Sequence, residues 1–504
     1  MRLPHANPMI RRLAALAAGA VLPLAYAPYN LWIVAILSCA VLIGLWLNST
    51  PRSSFITGYL FGLGMFGVGT GWLHISINLF GGVNLVGAIM LTFAFVMFIA
   101  LFPAGAGYLI ARLYLPSWPA SSRVLLIPAI WTLAEWVRSW IFTGFPWLNL
   151  GYTQTDSPLS GLAPLTGVFG ISLAVMFTAA TLVCVLSTPI RKQIPVLLAV
   201  FMLWGISLYS ANHDWTVPRT DDISVALIQG AVPQQLKWTP EMRQPTLDRY
   251  FELTEPHLGT DLIIWPEAAI PAFYHQIEAY IARLMQLTRA TDSYLLTGLP
   301  YQDPQTGKYL NSVVMLGDEV SFYFKRHLVP FGEYLPLDFI LRDVVDYLGI
   351  PMSDFSAGDN TPPVLRTDTF AMGISICYED TFGDEVIEAL PEAAILVNVS
   401  NDAWFGDSLA PHQHLQMARM RAIESGRYLL RATNTGITAI INEKGHVVAD
   451  IPQFMPATLT GTARLFDGMT PYAHTGNYLV LGLIFLLLIA AIGLRRQRAN
   501  DTAS

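Results

Sequence analysis

Charge is what this chain of 504 residues has least of: 13% of its side chains are Asp, Glu, Lys or Arg, against about 25% in an ordinary soluble domain. With 53% hydrophobic residues beside so little charge, the composition excludes a purely soluble protein. Residues 1–215 carry nine basic and three acidic side chains (Glu135, Asp156, Asp214), whereas 216–470 carry 17 basic and 32 acidic ones. An apolar half therefore precedes an acidic globular half, and a last apolar run from 471 closes on Arg495, Arg496 and Arg498. No basic stripe runs along either half, which excludes a nucleic-acid binder. Cysteine is nearly absent. Cys39 and Cys184 lie in apolar runs and Cys377 stands alone in the acidic part, so no disulfide can form inside that part. In a compartment that permits disulfides, such a thiol is either buried and inert or kept for its chemistry.

Long apolar runs are abundant. A crossing needs about 20 mostly apolar residues, and candidate spans fall at roughly 11–27, 31–48, 55–80, 85–112, 123–142, 165–188, 194–212 and 476–494, eight in all. The cations flanking these spans are Arg2, Arg11, Arg12, Arg52, Arg112, Arg123, Arg191, Lys192 and the three C-terminal arginines. All fall in alternate connections, and the intervening short connections, around 28–30, 81–84 and 143–164, hold no Lys or Arg. By the positive-inside rule the basic side is cytoplasmic. The expected division is a membrane domain of about seven spans over 1–215, an extracytoplasmic domain over 216–470, and a final span with a basic cytoplasmic tail over 471–504. Arg11, Arg12 and Ala25-Tyr26-Ala27 imitate a signal peptide, but cleavage there leaves the topology unchanged.

Two membrane features invite over-reading. Gly62-Leu63-Gly64-Met65-Phe66-Gly67 spells a dinucleotide fingerprint without the strand and βαβ context it requires. Close helix packing is the expected role, with Gly58 and Gly62 at small-xxx-small spacing. Glu135 and Arg138 share one helical face inside the fifth span, where charges pair or face a polar cavity. Both a mutual ion pair and a substrate contact stay open. So few intramembrane charges argue against an ion-coupled transporter.

From 223 onward, short β-branched strands alternate with amphipathic helices. Strands are expected at 223–229, 261–265, 293–298, 312–316, 370–376 and 394–398, and helices at 240–256, 275–291, 383–390 and 411–426. That alternation indicates an α/β layered fold. Three places put reactive groups where chemistry can occur. Pro266 stops a strand and projects Glu267 from its end, where α/β folds hold their sites. Lys325 closes an aromatic run in Phe324-Lys325-Arg326-His327-Leu328-Val329-Pro330-Phe331-Gly332-Glu333. Cys377 stands at a strand-to-helix bend in Cys377-Tyr378-Glu379-Asp380. Singly, each reads as a turn acid, a solvated strand end or an inert thiol. Together they supply a nucleophile, a base and a cation for an oxyanion. His412 and His414 are the competitors, as a metal pair or a base for the thiol, but side chains two apart on a helix diverge.

The ordered set of Glu267, Lys325 and Cys377 resembles the Glu-Lys-Cys triad of the nitrilase superfamily, whose fold is a four-layer αββα sandwich. With eight apparent spans around that domain, nearly the whole chain resembles the apolipoprotein N-acyltransferase family. Ile228-Gln229-Gly230, Lys237-Trp238, Phe145-Pro146-Trp147 and Asn434-Thr435-Gly436 carry this wider likeness. The resemblance implies a bacterial inner-membrane enzyme with a periplasmic catalytic domain and no cofactor or metal. Its acyl donor would be a phospholipid, acting through a thioester on Cys377, and its acceptor the diacylglyceryl-cysteine of an apolipoprotein. It assigns catalysis to Glu267, Lys325 and Cys377, supporting roles to Glu333, Tyr378 and Glu379, and substrate binding to Trp238. Carboxylates that orient Lys325 or Arg326 are an equivalent reading of Glu333 and Glu379. Residues 337–348 place Leu337, Ile340, Leu341, Val344, Val345 and Leu348 on one helical face, as a core-facing helix or as a lid at the membrane interface. The rival functions are a membrane-tethered amidase or nitrile hydrolase and a catalytically silent scaffold.

Overall fold

The computed structural model describes residues 7–47, 49–113, 120–187, 189–336, 338–339, 342 and 354–501. They form two compact units, one of Met1–His74, Val86–His213 and His474–Ser504, the other of Ile75–Leu85 and Asp214–Ala473.

The first unit is helical. Among the described residues four helical stretches are long and apolar enough to cross a membrane: Pro8–Ala25, Leu85–Leu113, Pro158–Ser187 and Ile194–Ala211. Pro51–Gly69 and Leu73–Leu79 make a fifth if their 55° bend lies within one span, and Ile33–Trp46 and Tyr478–Ile492 are shorter apolar helices. The fifth expected span corresponds to Ala120–Arg138, which carries Pro128 inside the helix.

Glycine works here as expected of a packing residue. A Cβ on Gly58 would stand 2.4 Å from the Pro103 carbonyl oxygen, and one on Gly64 would stand 2.3 Å from that of Leu16 and 2.6 Å from the Ala20 nitrogen. Helix Pro51–Gly69 thus lies against neighbours on two sides, which only a missing side chain permits. Glu135 and Arg138 hold a loop. Arg138 donates to the carbonyls of Phe145 and Trp147 and to Asn149 Oδ1, while Glu135 Oε1 accepts from Trp131 Nε1 at 2.9 Å and Leu150 N at 2.9 Å. Four groups on 145–150 are satisfied by two side chains, a structural use of buried charge.

The second unit contains two six-stranded sheets. Strands β1 (Val217–Gln229), β2 (Leu262–Ile264), β3 (Tyr294–Gln302), β4 (Tyr309–Leu316), β5 (Val320–Phe324) and β12 (Ala457–Asp467) form one, in the order β12-β1-β2-β3-β4-β5. Strands β6 (Val364–Arg366), β7 (Ala371–Ile376), β8 (Ile395–Ser400), β9 (Leu429–Thr433), β10 (Thr438–Ile441) and β11 (Val447–Ile451) form the other, in the order β11-β10-β9-β8-β7-β6. Pairing is parallel along β1-β2-β3 and β7-β8-β9 and antiparallel elsewhere.

Strand alternation sorts the apolar side chains into layers. Val225, Leu227, Leu262, Ile264, Leu296 and Val313 meet Met372, Ile374, Ile376, Val397, Val399 and Leu430 in one core between the sheets. Ala226, Ile228, Ile263 and Leu295 point the other way, onto Leu247 and Tyr250 of helix Pro240–Thr254 and Ile281 and Leu284 of helix Glu278–Ala290. Leu396, Leu429, Ala439 and Ile441 face Ala418 and Ala422 of helix Ala410–Ser425. The result is an αββα sandwich. All six expected strands are present, while β5, β6 and β9 to β12 had no expected counterpart. The four expected helices form, the third as Gly383–Val386 with a short 3-10 turn after it. Of 337–348, only Asp338, Phe339 and Arg342 lie within the described residues, so the expected amphipathic face falls outside them.

The sheet of β7-β8-β9 is pinned by a buried ionic cluster. Arg431 on β9 bridges Asp380 Oδ2 and Asp402 Oδ2, each at 3.0 Å, and His414 bridges Asp380 Oδ1 at 2.8 Å and Asp402 Oδ1 at 2.9 Å. Two carboxylates face two cations, so the cluster is neutral only with His414 protonated. Burial and Arg431 oppose that proton, but Asp380 and Asp402 outweigh them and raise the imidazole from 6.5 to about 9. Burial alone would raise Asp402, yet Arg431 and His414 bring it to about 2. His414 therefore pairs with carboxylates rather than a metal or a thiol, and no group of metal-binding side chains occurs among the described residues.

Two outcomes are expected. Gly64→Leu should lower stability by about 1–3 kcal/mol through overpacking, read as a lower melting temperature in detergent. Gly105→Leu, at a position with nothing within 4 Å of its Cβ, should not. For His414 the folded value exceeds the unfolded one, so its contribution is complete below about pH 6.5 and lost as pH rises through about 9. His414→Gln should destabilise by about 3–5 kcal/mol at neutral pH and flatten this alkaline decline in melting temperature. An unchanged decline would remove His414 as its source.

Candidate functional site

Three chain segments bring the reactive groups to one end of the sandwich. β1, β2 and β3 run parallel, and two antiparallel steps make β5 run the same way as β3, so Glu267 after β2 and Lys325 after β5 emerge on one edge. Cys377 follows β7 in the facing sheet, again at the exit of a parallel set.

Each arm is locally constrained. Trp265 is fully buried and stacks on Tyr250, after which Pro266 ends β2 and its carbonyl accepts from Ala269 N and Gly298 N, both at 3.2 Å. Ala268 takes a left-handed φ of 46°, and a Cβ on Gly298 would lie 2.5 Å from the Ala268 nitrogen and 2.7 Å from the Glu267 Cα. Only glycine at 298 leaves room for the turn that carries Glu267. Cys377 also has a left-handed φ, 53°, a strained bend of the kind that clusters at active sites.

Lys325 is 1% exposed. Its Nζ lies 2.8 Å from Glu333 Oε2 and 3.7 Å from Glu267 Oε1. Asn311 on β4 joins the two carboxylates, its Nδ2 donating to Glu267 Oε1 at 2.8 Å and Glu333 Oε1 at 2.9 Å. Glu333 also accepts from Val329 N at 2.8 Å, so its loop fixes it. Burial pushes Lys325 down, but Glu333, Glu267 and Cys377 outweigh it and hold the ammonium above the ordinary lysine range. For Cys377, burial and then Glu267 push the thiol well up, Lys325 opposing, with Ser400 hydrogen-bonded to the sulfur. At neutral pH the thiol therefore keeps its proton and needs a base.

The structure brings Glu267, Lys325, Glu333 and Cys377 together. Glu379 serves chiefly the main chain and acts on Lys325 at longer range. It accepts from Ile376 N at 2.8 Å, Arg326 N at 2.7 Å and His327 N at 3.2 Å, and from the Tyr323 hydroxyl at 2.9 Å. It thus ties the Lys325 arm to the Cys377 bend through backbone N–H groups, so its expected pairing with Lys325 or Arg326 takes the form of main-chain bonds at 326 and 327 and a through-space attraction to Lys325. The Tyr378 ring packs edge-on to His327 and Phe382. Trp238 is half exposed, beside the fully buried Lys237. His412 lies apart from the thiol, against Gln453 Nε2 at 3.3 Å. Asn434 holds the exit of β1, its amide bonded to Val232 N and O at 3.0 and 2.9 Å. Sequence reasoning missed Asn311, Ser400, Asp402 and Arg431, and named Lys237 and Asp380 only within motifs, without a role. Inward alternation along β4 was the available sign for Asn311.

Comparison with known proteins agrees with this architecture. Residues 18–181 match the apolipoprotein N-acyltransferase N-terminal domain, and residues 224–466 match the carbon-nitrogen hydrolase family. The chain is 45% identical to an apolipoprotein N-acyltransferase of Methylococcus capsulatus over 97% of both chains. It is 42% identical to one of Nitrosomonas europaea, over 96% of this chain and 97% of that one. A solved Saccharomyces cerevisiae member of the nitrilase superfamily overlaps 48% of this chain and 90% of its own, at 18% identity and a TM-score of 0.38. With relatives this similar across nearly its full length, the chain belongs to the apolipoprotein N-acyltransferase family.

Proposed function

We propose that the protein transfers an acyl chain from the sn-1 position of a phospholipid to the N-terminal amine of a diacylglyceryl-cysteine on an apolipoprotein, through a thioester on Cys377. The observation that carries the mechanism is the convergence of a protonated, buried thiol with Glu267 and a buried Lys325 ammonium. In the first half-reaction Glu267 takes the thiol proton and Cys377 Sγ attacks the ester carbonyl. Lys325, with the N–H of Tyr378, holds the oxyanion. Collapse breaks the C–O bond, and Glu267 returns the proton to the lysophospholipid alkoxide. In the second, Glu267 deprotonates the incoming amine, the amine attacks the thioester, and the departing sulfur recovers the proton. Glu333 and Asn311 keep Lys325 and Glu267 in place, Glu379 locks the Cys377 bend to the Lys325 arm, and Trp238 offers an exposed ring to the apolar substrate.

The setting proposed for this chemistry is a bacterial inner membrane crossed eight times, with 1–215 and 471–504 as its membrane parts and 216–470 on the periplasmic side. The support is that, among the short connections between spans, Lys and Arg occur only in alternate ones. A tethered amidase would use the same triad with water as acceptor, and the high identity to acyltransferases weighs against it.

Purified protein given phosphatidylethanolamine with a labelled sn-1 chain, without acceptor, should acquire a hydroxylamine-labile acyl group on the Cys377 peptide. An added diacylglyceryl peptide should then take up the label as an amide. Label recovered only as free fatty acid would favour the hydrolase. Cys377→Ala should abolish labelling, and Glu267→Gln should slow it by about 10²–10⁴-fold, the usual weight of a general base. Full labelling of the Glu267→Gln protein would sink the assignment of the base.

A further inference from the structure

The base has a second lysine behind it. Lys237 ends the short helix Gln234–Lys237 that follows β1, and its side chain is 0% exposed although Leu236 and Trp238 on either side are about half exposed. Lysine is almost never fully buried without a partner carboxylate. The acceptor within hydrogen-bond reach of Nζ is instead the main-chain carbonyl of Glu267, at 3.4 Å. That distance is long for a hydrogen bond, so the attraction is chiefly that of a charge for a carbonyl dipole and for the carboxylate beyond it.

Glu267 is consequently flanked on two sides. Its carboxylate meets Asn311 Nδ2 at 2.8 Å and Lys325 Nζ at 3.7 Å, with Glu333 sharing the same amide and Cys377 acting on it across the site. Its main chain meets Lys237, in a turn already strained at Ala268 and closed by Gly298. Among the described residues, Glu267 is the charged group that acts on Lys237 in return. Burial brings the Lys237 ammonium down to about 8, Glu267 opposing, so it is charged at neutral pH.

We propose that Lys237 is a positioning residue for the acyl transfer, its buried ammonium holding the Glu267 turn and setting a positive charge behind the carboxylate that takes the thiol proton. This rests on Glu267 being the base. A cation suits that place because a nearby positive charge favours the charged form of a carboxylate, and its removal disfavours that form. Lys325 cannot do this alone, since Glu333 claims it at the shorter distance.

The test is the pH dependence of Cys377 acyl-thioester formation in the full-length, detergent-purified protein, with phosphatidylethanolamine as donor. Lys237→Met and Lys237→Gln both remove the charge, and glutamine keeps a donor for the Glu267 carbonyl. In both, the acidic limb of the rate profile should move up by about one pH unit, with a fall of about tenfold in rate on that limb and an unchanged KM for donor. Lys237→Arg, which restores charge, should return the limb toward its wild-type position. Melting curves identify any variant that has lost its fold, and the limb is then read from the remaining charge-free one. A wild-type limb in a folded charge-free variant overturns the proposal. So does a lower rate at all pH values with no displacement, which would make Lys237 merely structural. Glu267→Gln, run alongside, separates the two failures: a wild-type profile there overturns Glu267 as base, whereas its inactivity beside an unmoved Lys237→Gln limb overturns only the role of Lys237.

Discussion

An ammonium that is 1% exposed is the constraint on which the catalytic unit turns. Lys325 can stay charged there only if carboxylates stand against it, because desolvation of an unpaired cation is prohibitive. Glu333 and Glu267 meet that requirement, and both must come from other segments, one from the loop after β5 and one from the end of β2. Two carboxylates beside each other repel, and the amide of Asn311 is placed between them. Each partner thus creates the need for the next. The site is assembled by electrostatic satisfaction as much as by the packing of the strands beneath it.

The same logic governs the opposite sheet. The Cys377 bend is strained, and a strained bend persists only where its surroundings over-determine it. Glu379 fastens it from the Lys325 side with three backbone N–H bonds. From below, His414 and Asp380 hold it through the cluster shared with Arg431 and Asp402. Glu379 is raised by its burial, with the Ile376 N–H, Lys325 and the other two N–H groups opposing, so it anchors chain and acts on the cation together.

Sequence made the frame legible where hydrophobic pattern and strand ends coincide. Trp265-Pro266-Glu267 declared a buried strand with a carboxylate thrown off its end, and continuous apolar runs announced β7 and β8. The strands that escaped were short, as β5, β6 and β9 to β11 are, or, like β12, mix exposed and buried positions without a clean period. Site residues escaped for a different reason. Asn311 and Arg431 are polar residues inside strands, where a single polar position reads as the solvent face. Their roles depend on which strand of the other segments lies opposite, a long-range fact that local spacing does not encode. Glu379 was found in its motif, but its bonds to the Arg326 and His327 main chain, 53 and 52 positions away, are a tertiary fact that the motif does not carry.

Burial also bears on why an acyl-enzyme in this pocket should favour an amine over water. Glu267 and Cys377 are each 8% exposed and Lys325 less, so the reacting atoms sit in a site with little access to solvent. A thioester formed there is protected by exclusion as long as the deacylating nucleophile must be brought in. A hydrolase working with the proposed Glu267, Lys325 and Cys377 would need only to admit a water. The proposed transfer instead requires a substrate bulky and apolar enough to displace solvent and carry its amine to Glu267. On that proposal the distinction between the two chemistries lies in what can enter the pocket, since either would use the same three side chains.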